Sequence, residues 1–108
     1  MTNYLLIESQ DRIDARDGGF CCRMAKALAQ HGDTVSVLMV GNGVLSLRAG
    51  AYAPGLAVLR ELGIGISADS FSLRERGIAA DRLTSGVTPC ELDIVIDRMA
   101  DGWRVIWH

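Results

Sequence analysis

The stretch from residue 67 to residue 78 is Ser67-Ala68-Asp69-Ser70-Phe71-Ser72-Leu73-Arg74-Glu75-Arg76-Gly77-Ile78, and it predicts a strand that runs directly into a two-turn helix. The apolar run at residues 63–66 predicts a buried strand, Asp69 is a typical helix N-cap, and Gly77 is a typical helix stop. Such a junction places amide donors and the positive end of a helix dipole at the carboxyl edge of a sheet. We therefore expect the functional groups of an α/β protein at this point.

The rest of the chain alternates between short apolar runs and amphipathic helical patterns. Further strands are predicted at residues 4–8, 34–40 and 103–108, and further helices at residues 18–31, 54–62 and 88–100. Residues 79–87 are ambiguous, with a short strand about Leu83 as one option. Strands that alternate with helices of this length are typical of a parallel sheet with helices on both faces. We predict a three-layer α/β/α protein with a single domain over residues 1–108.

The start of the last predicted helix rests on the segment Thr88-Pro89-Cys90-Glu91. It has the Ser/Thr-x-x-Glu form of a capping box, with proline at the first helical position. The predicted buried face of this helix consists of Leu92, Val95, Ile96 and Met99. Cys90 would then lie in the first turn, where the helix dipole favours a thiolate.

The composition argues against several classes of partner. A formal charge of −2 over 108 residues gives no basic field for nucleic acid. No apolar run approaches the roughly 18 residues of a membrane span, and the first residues lack a signal-peptide pattern. We therefore expect a cytoplasmic protein with no membrane partner. The hydrophobic content of 49% favours burial of a further apolar face in a homo-oligomer.

The candidate nucleophiles are the thiols of Cys21, Cys22 and Cys90. Their odd number and their spacing fit neither a disulfide framework nor a zinc site. Cys21 and Cys22 fall in the first turn of a predicted helix, and the main interpretation is that they are small buried hydrophobic residues. The alternative is a reactive thiol, because the helix dipole lowers a thiol pKa. The same two interpretations are open for Cys90.

The sequence favours neither a metal site nor a cofactor. Neither histidine has an evident catalytic partner: His31 is predicted to cap the end of a helix, and His108 is the last residue of the sequence. Asp93 and Asp97 are one helical turn apart and are expected on a solvated face. We therefore predict no metal ligand among these residues.

We expect the candidate ligand-binding residues to lie at the carboxyl edge of the predicted sheet. A cleft there would be bounded by residues 9–17, 41–43 and 69–72. The glycines at residues 41 and 43 complete no dinucleotide or Walker phosphate motif, so a tight turn is the main interpretation and a small-ligand contact the alternative. The candidate site residues are Ser9, Asn42, Gly43, Asp69, Ser70 and Ser72.

Several of these pieces, taken in order, resemble the DsrE-like proteins, the family of DsrE and TusD. The resemblance is carried by residues 4–9, 28–32, 38–44 and 76–78 and by the final helix and strand, so it spans essentially the whole chain. It implies an α/β/α domain with a mainly parallel sheet of about five strands. It also implies assembly as homotrimers or hexamers, with other sulfur-relay proteins as further partners.

The resemblance also locates a difference from the active members of the family. DsrE and TusD pass sulfane sulfur as a cysteine persulfide, and their acceptor cysteine ends the third strand, eight residues before the glycine of an Arg-Gly pair. Counting back from Gly77 reaches Asp69. A carboxylate forms no persulfide, and the hydroxyls of Ser70 and Ser72 do not replace a thiol.

Three functions follow from these observations. The first is a DsrE-like binding or assembly subunit near sulfur metabolism, which lacks the usual persulfide site and is not an enzyme. The second is a sulfurtransferase that uses a displaced cysteine, either Cys21 or Cys90. The third is a small-ligand-binding module that uses the cleft at the carboxyl edge.

Overall fold

The computed structural model describes residues 1–10 and 19–108. Strands and α-helices alternate along them: β1 Asn3–Glu8, α1 Gly19–Gln30, β2 Thr34–Met39, α2 Pro54–Glu61, β3 Gly65–Asp69, α3 Ser70–Glu75, β4 Val87–Cys90, α4 Asp93–Ala100 and β5 Arg104–Trp107. Two 3-10 helices, Gly41–Leu47 and Ala80–Arg82, lie in the connections. The helix α1 has 12 residues, and no helix in the described part of the chain is long and apolar enough to cross a membrane.

The strands form one parallel sheet in the order β4-β3-β2-β1-β5. Because all of them run in the same direction, their carboxyl ends lie at one edge of the sheet. The strands end there at Glu8, Met39, Asp69, Cys90 and Trp107. The predicted α/β/α fold with a parallel sheet of about five strands is thereby confirmed.

Both faces of the sheet are apolar, as expected when helices cover both. On one face, alternate residues such as Leu6, Val37 and Ile66 pack in a cluster with residues of α1 and α2. On the other face, Leu5, Ile7 and Leu38 pack with residues of α4. This alternation follows from the two-residue period of a strand, and it produces the three layers.

The last helix begins later than the sequence pattern predicts. Thr88 and Pro89 pair with Ser67 and Ala68 of β3, so the predicted capping box is part of strand β4. Proline is tolerated here because β4 is an edge strand, paired only with β3 among the strands that the structure describes. The capping-box prediction is wrong because this segment pairs with β3 as a strand. The prediction that Cys90 lies in a helical turn is wrong for the same reason.

The buried face of α4 also differs from the prediction. Ile94 and Val95 pack on the sheet, whereas the exposed fractions of Leu92, Ile96 and Met99 are 45%, 69% and 59%. The sheet therefore covers only one narrow side of this amphipathic helix. Three of the four side chains predicted to be buried face away from it.

The segment between α3 and β4 contains no strand about Leu83. Leu83 instead forms an isolated antiparallel bridge with Arg48, directly after the 3-10 helix Ala80–Arg82. The fourth strand lies a few residues later, at Val87–Cys90. The bridge ties the connection that follows β2 to the connection that follows α3.

Candidate functional site

The junction between β3 and α3 is built around the side chain of Asp69. Asp69 is 2% exposed, and its Oδ2 accepts hydrogen bonds from the backbone N–H of Ser72 at 3.0 Å and from the Ser72 hydroxyl at 2.6 Å. The predicted N-cap is therefore present. The Ser72 oxygen in turn accepts a hydrogen bond from the N–H of Gly41 at 2.8 Å. A chain of hydrogen bonds thus runs from the end of β2 to the start of α3.

The second carboxylate oxygen of Asp69, Oδ1, is buried and has no hydrogen-bond partner among the described residues. A buried polar oxygen without a partner is energetically costly, by about 1–3 kcal/mol. Such an atom marks a place where a hydrogen-bond donor would be stabilised. One carboxylate oxygen of Asp69 therefore caps α3, and the other can accept a further hydrogen bond.

Cys90 is the neighbour of Asp69 on the adjacent strand. The two residues are register partners at the ends of β4 and β3, and Cys90 is half-buried. Burial raises the pKa of the Cys90 thiol, and the charge of Asp69 raises it further, while a hydrogen bond from the Ser67 side chain lowers it. The expected activation by a helix dipole does not apply, because Cys90 belongs to a strand.

Cys21 and Cys22 lie in the first turn of α1, and both are buried, as the main interpretation of the sequence predicts. Burial raises the pKa of the Cys21 thiol to about 12, with smaller contributions from Cys22 and Glu8. The Cys22 thiol is 1% exposed and donates a long hydrogen bond of 3.6 Å to the carbonyl oxygen of Gly55. Burial thus outweighs the helix dipole for Cys21, which is a neutral thiol at physiological pH.

A second polar cluster lies at the carboxyl ends of β1 and β5. The buried carboxylate of Glu8 contacts His108 Nδ1 at 3.0 and 3.1 Å, and the His108 ring stacks on Phe20 with 4.3 Å between the ring centroids. Cys21 lines the narrow pocket beside them. The pocket offers about 10 Å³, which is the least that a single water molecule needs.

Sequence reasoning missed this cluster, because it found no partner for either histidine. His31 Nδ1 in fact lies 3.0 Å from Asp33 Oδ2. For the pair of Glu8 and His108, the sequence contained one indication, which is an acidic residue at the end of an otherwise apolar strand. Its partner, His108, is a hundred residues away in sequence, and only the sheet order brings β5 beside β1.

Asn42 and Gly43 both have structural partners. Asn42 Oδ1 accepts hydrogen bonds from Arg76 Nε at 3.2 Å and Arg76 Nη2 at 3.0 Å, and Arg76 Nη1 donates to the carbonyl oxygen of Ser72 at 3.2 Å. At Gly43 a Cβ atom would lie 2.7 Å from the carbonyl oxygen of Glu8. The glycine therefore permits close backbone packing, and it lies within the 3-10 helix Gly41–Leu47 rather than in a simple tight turn.

The structure joins two of the three predicted cleft walls. Residues 41–43 and 69–72 are linked by the bond from Gly41 to Ser72 and by Arg76, which donates both to Asn42 and to the carbonyl oxygen of Ser72. Ser70 begins α3 and is half-buried. Of the third wall, residues 11–17 lie outside the described residues. Ser9, at its start, is bound instead to the carbonyl oxygen of His108, through its N–H at 3.0 Å and its hydroxyl at 3.1 Å.

The chemistry of this edge of the sheet is that of buried carboxylates, hydroxyls and neutral thiols. Within the two described ranges, no group of three or more His, Cys, Asp and Glu side chains is arranged to hold a metal ion. The fold and the site together define a small parallel α/β protein whose central feature is a capped strand-to-helix junction.

The chain belongs to the DsrE/DsrF-like family, whose model matches residues 7–108. The resemblance drawn from the sequence is therefore confirmed at the level of this family. Comparison with curated proteins found no significant match.

Similar solved structures share the fold over nearly the whole chain. One is the protein of unknown function MTH1491 from Methanobacterium thermoautotrophicum, with a TM-score of 0.80, 22% identity and 100% coverage of both chains. Another is the ychN protein from E. coli, with a TM-score of 0.81, 16% identity and 100% coverage of both chains. A third is BT1422 from Bacteroides thetaiotaomicron, a conserved protein of unknown function, with a TM-score of 0.77 and 16% identity over 98% of this chain and 94% of that one.

Proposed function

We propose that this protein is a binding and assembly subunit of sulfur metabolism that performs no persulfide chemistry at the family's usual acceptor position. The family as a whole is linked to sulfur metabolism. The observation that supports the specific role is the state of Asp69, whose carboxylate is buried and bonded twice to Ser72 as the cap of α3. This side chain stabilises the junction and offers no sulfur nucleophile.

The state of two thiols supports the same proposal. Sulfur acceptance needs a thiolate, because the thiolate is the nucleophile that attacks a sulfane sulfur. The pKa of Cys21 is raised to about 12, and burial and the charge of Asp69 also raise the pKa of Cys90. Both groups are therefore predominantly protonated at neutral pH.

The assembly part of the proposal rests on α4. Leu92, Ile96 and Met99 follow one another at helical spacing and form an exposed apolar stripe. Trp107, 63% exposed at the end of β5, adds a large apolar side chain on the same side of the sheet. The occupant that we propose for this surface is a second copy of the chain, in a homotrimer or hexamer, with other sulfur-relay proteins as further partners.

A sulfur-loading experiment tests the proposal. The protein is incubated with a persulfide donor, and intact masses are compared with those of an Asp69→Cys variant, which restores a thiol at the junction. We expect a transferable adduct of one sulfur atom on the variant and none on the parent. A stable adduct on the parent that passes to a second thiol would contradict the proposal.

The position of Cys90 favours a second candidate function, a sulfur carrier with a displaced acceptor. Cys90 is half-buried rather than enclosed and lies across from Asp69, whereas Cys21 is 4% exposed. If the parent takes up sulfur, the Cys90→Ser variant should lose the adduct and the Cys21→Ser variant should keep it. Retention of full uptake by both variants excludes both cysteines as the carrier.

A further inference from the structure

A groove beside the C-terminal end of α3 is lined by two arginines. It lies between the connection that follows β2 and the end of α3, has a volume of about 300 Å³, and is lined by Arg48, Ala49, Gly77, Ile78 and Arg82. We propose that this groove binds a tetrahedral oxyanion, either free phosphate or sulfate or the phosphate group of a nucleotide.

The backbone holds the two arginines in fixed relative positions. The N–H of Ala49 donates to the carbonyl oxygen of Arg82 at 2.7 Å, and Arg48 forms the antiparallel bridge with Leu83. The hydroxyl of Thr84 also donates to the carbonyl oxygen of Arg48 at 3.3 Å. The groove is therefore formed by paired backbone segments, and both guanidinium groups extend from these segments.

The charged side chains that line the groove are both positive. None of the residues that line it is acidic, and within the described part of the chain neither Arg48 nor Arg82 forms an ion pair. Arg48 Nε donates to the carbonyl oxygen of Leu45 at 2.8 Å, which orients the guanidinium and leaves its two terminal amino groups for a ligand. Guanidinium groups match the geometry of phosphate and sulfate oxygens, which accept paired N–H donors.

The remaining lining leaves room for more than the anion alone. Ala49, Gly77 and the half-buried Ile78 present small or apolar surface, and a neighbouring depression continues past Arg48 along residues 49–51. A volume of about 300 Å³ is at the lower end of the range for small-molecule sites. Both a free oxyanion and a small phosphorylated molecule fit this space, and the two arms of the experiment distinguish them.

Titration followed by NMR tests the groove directly. Inorganic phosphate, sulfate and adenosine monophosphate are each added to the full chain, and shifts of the backbone amide signals are recorded. We expect saturable shifts at Ala49, Gly50 and Gly77. Shifts with the inorganic ions identify a free oxyanion site. Shifts with the nucleotide but with neither inorganic ion identify a nucleotide phosphate site.

Matched arginine variants supply the control. Arg82→Gln removes a charge from the groove, Arg48→Lys keeps the charge but removes the paired donors, and Arg104→Gln removes an exposed charge on the distant strand β5. We expect at least roughly tenfold weaker binding, equivalent to about 1.4 kcal/mol, for the first two variants and parent-like binding for the third, because the first two lose charged hydrogen bonds to the anion. The proposal is overturned if no ligand gives saturable shifts up to about 10 mM, a range that covers weak millimolar sites. Equal weakening in all three folded variants also overturns it.

Discussion

Cys90 lies directly across from Asp69, because these residues are register partners at the carboxyl ends of β4 and β3. A thiol therefore lies one strand away from Asp69, at which the proposed function places the family's usual sulfur acceptor. Its neighbour is a buried carboxylate with one oxygen bonded to Ser72 and one without a partner among the described residues. Burial raises the pKa of Cys90, and the charge of this carboxylate raises it further, so the thiol beside Asp69 is a weak nucleophile at neutral pH.

The Asp69→Asn variant should make Cys90 more acidic. The amide keeps an oxygen for the cap but removes the negative charge that raises the Cys90 pKa, so this pKa should fall toward its ordinary value of 9.0. At a mildly alkaline pH the thiolate fraction should then increase. The measurement is the pH dependence of Cys90 alkylation, followed by peptide mass spectrometry.

A second variant should shift the pKa of Cys90 in the opposite direction. Ser67→Ala removes the hydrogen bond that lowers the Cys90 pKa, so alkylation should require a higher pH than in the parent. Identical alkylation profiles for the parent, the Asp69→Asn variant and the Ser67→Ala variant would show that neither neighbour controls the thiol.

Gly43→Ala should destabilise the fold by roughly 1–3 kcal/mol, the usual range for overpacking. The added Cβ would lie 2.7 Å from the carbonyl oxygen of Glu8, and backbone atoms at such a distance must move. Gly65→Ala is the matched control, because its Cβ would meet only the Ser36 Oγ at an ordinary 3.8 Å. Urea unfolding measures both, and equal stabilities would refute the packing role of Gly43.

The predicted and observed structures agree where residues close together in the sequence determine the local structure. The cap at Asp69 and the stop at Gly77 depend on residues a few positions apart, and both are present as expected: Gly77 has a positive φ of 65°. The segment Thr88–Cys90 shows the opposite case. Its local pattern is that of a helix start, but pairing with β3 is a long-range contact that the pattern does not contain.

The same distinction applies to the candidate site. The N-cap at Asp69 follows from the sequence because its bond with Ser72 is local. The contact of Glu8 with His108 and the alignment of Cys90 with Asp69 both depend on the order of strands in the sheet. Spacing along the chain does not determine that order. The resemblance to a family predicted the fold without predicting these pairs.

The raised pKa of Cys21 predicts a specific loss of stability at alkaline pH. The pKa is about 12 in the folded protein and 9.0 by reference for the unfolded chain, so folding favours the neutral thiol. This contribution is fully present below about pH 9 and is lost as the pH rises from 9 toward 12. The difference in unfolding free energy between the parent and Cys21→Ala, measured by urea unfolding across this range, isolates the effect from other titrating groups. A difference that stays constant from pH 8 to pH 11 would contradict the shifted pKa.

The exposed stripe on α4 predicts an assembly that one charge should disrupt. Ile96 is 69% exposed at the centre of the stripe, and glutamate is a good helix former, so Ile96→Glu should leave the monomer folded. In the proposed homo-oligomer this carboxylate would be buried without a partner, which strongly disfavours association. Sedimentation velocity should show a multimer for the parent and a smaller species for the variant. Tyr52→Glu, at an exposed position (77%) outside the stripe, is the control and should sediment like the parent. A monomeric parent at micromolar concentration, or an Ile96→Glu variant that keeps the parent's assembly, would exclude α4 as the interface.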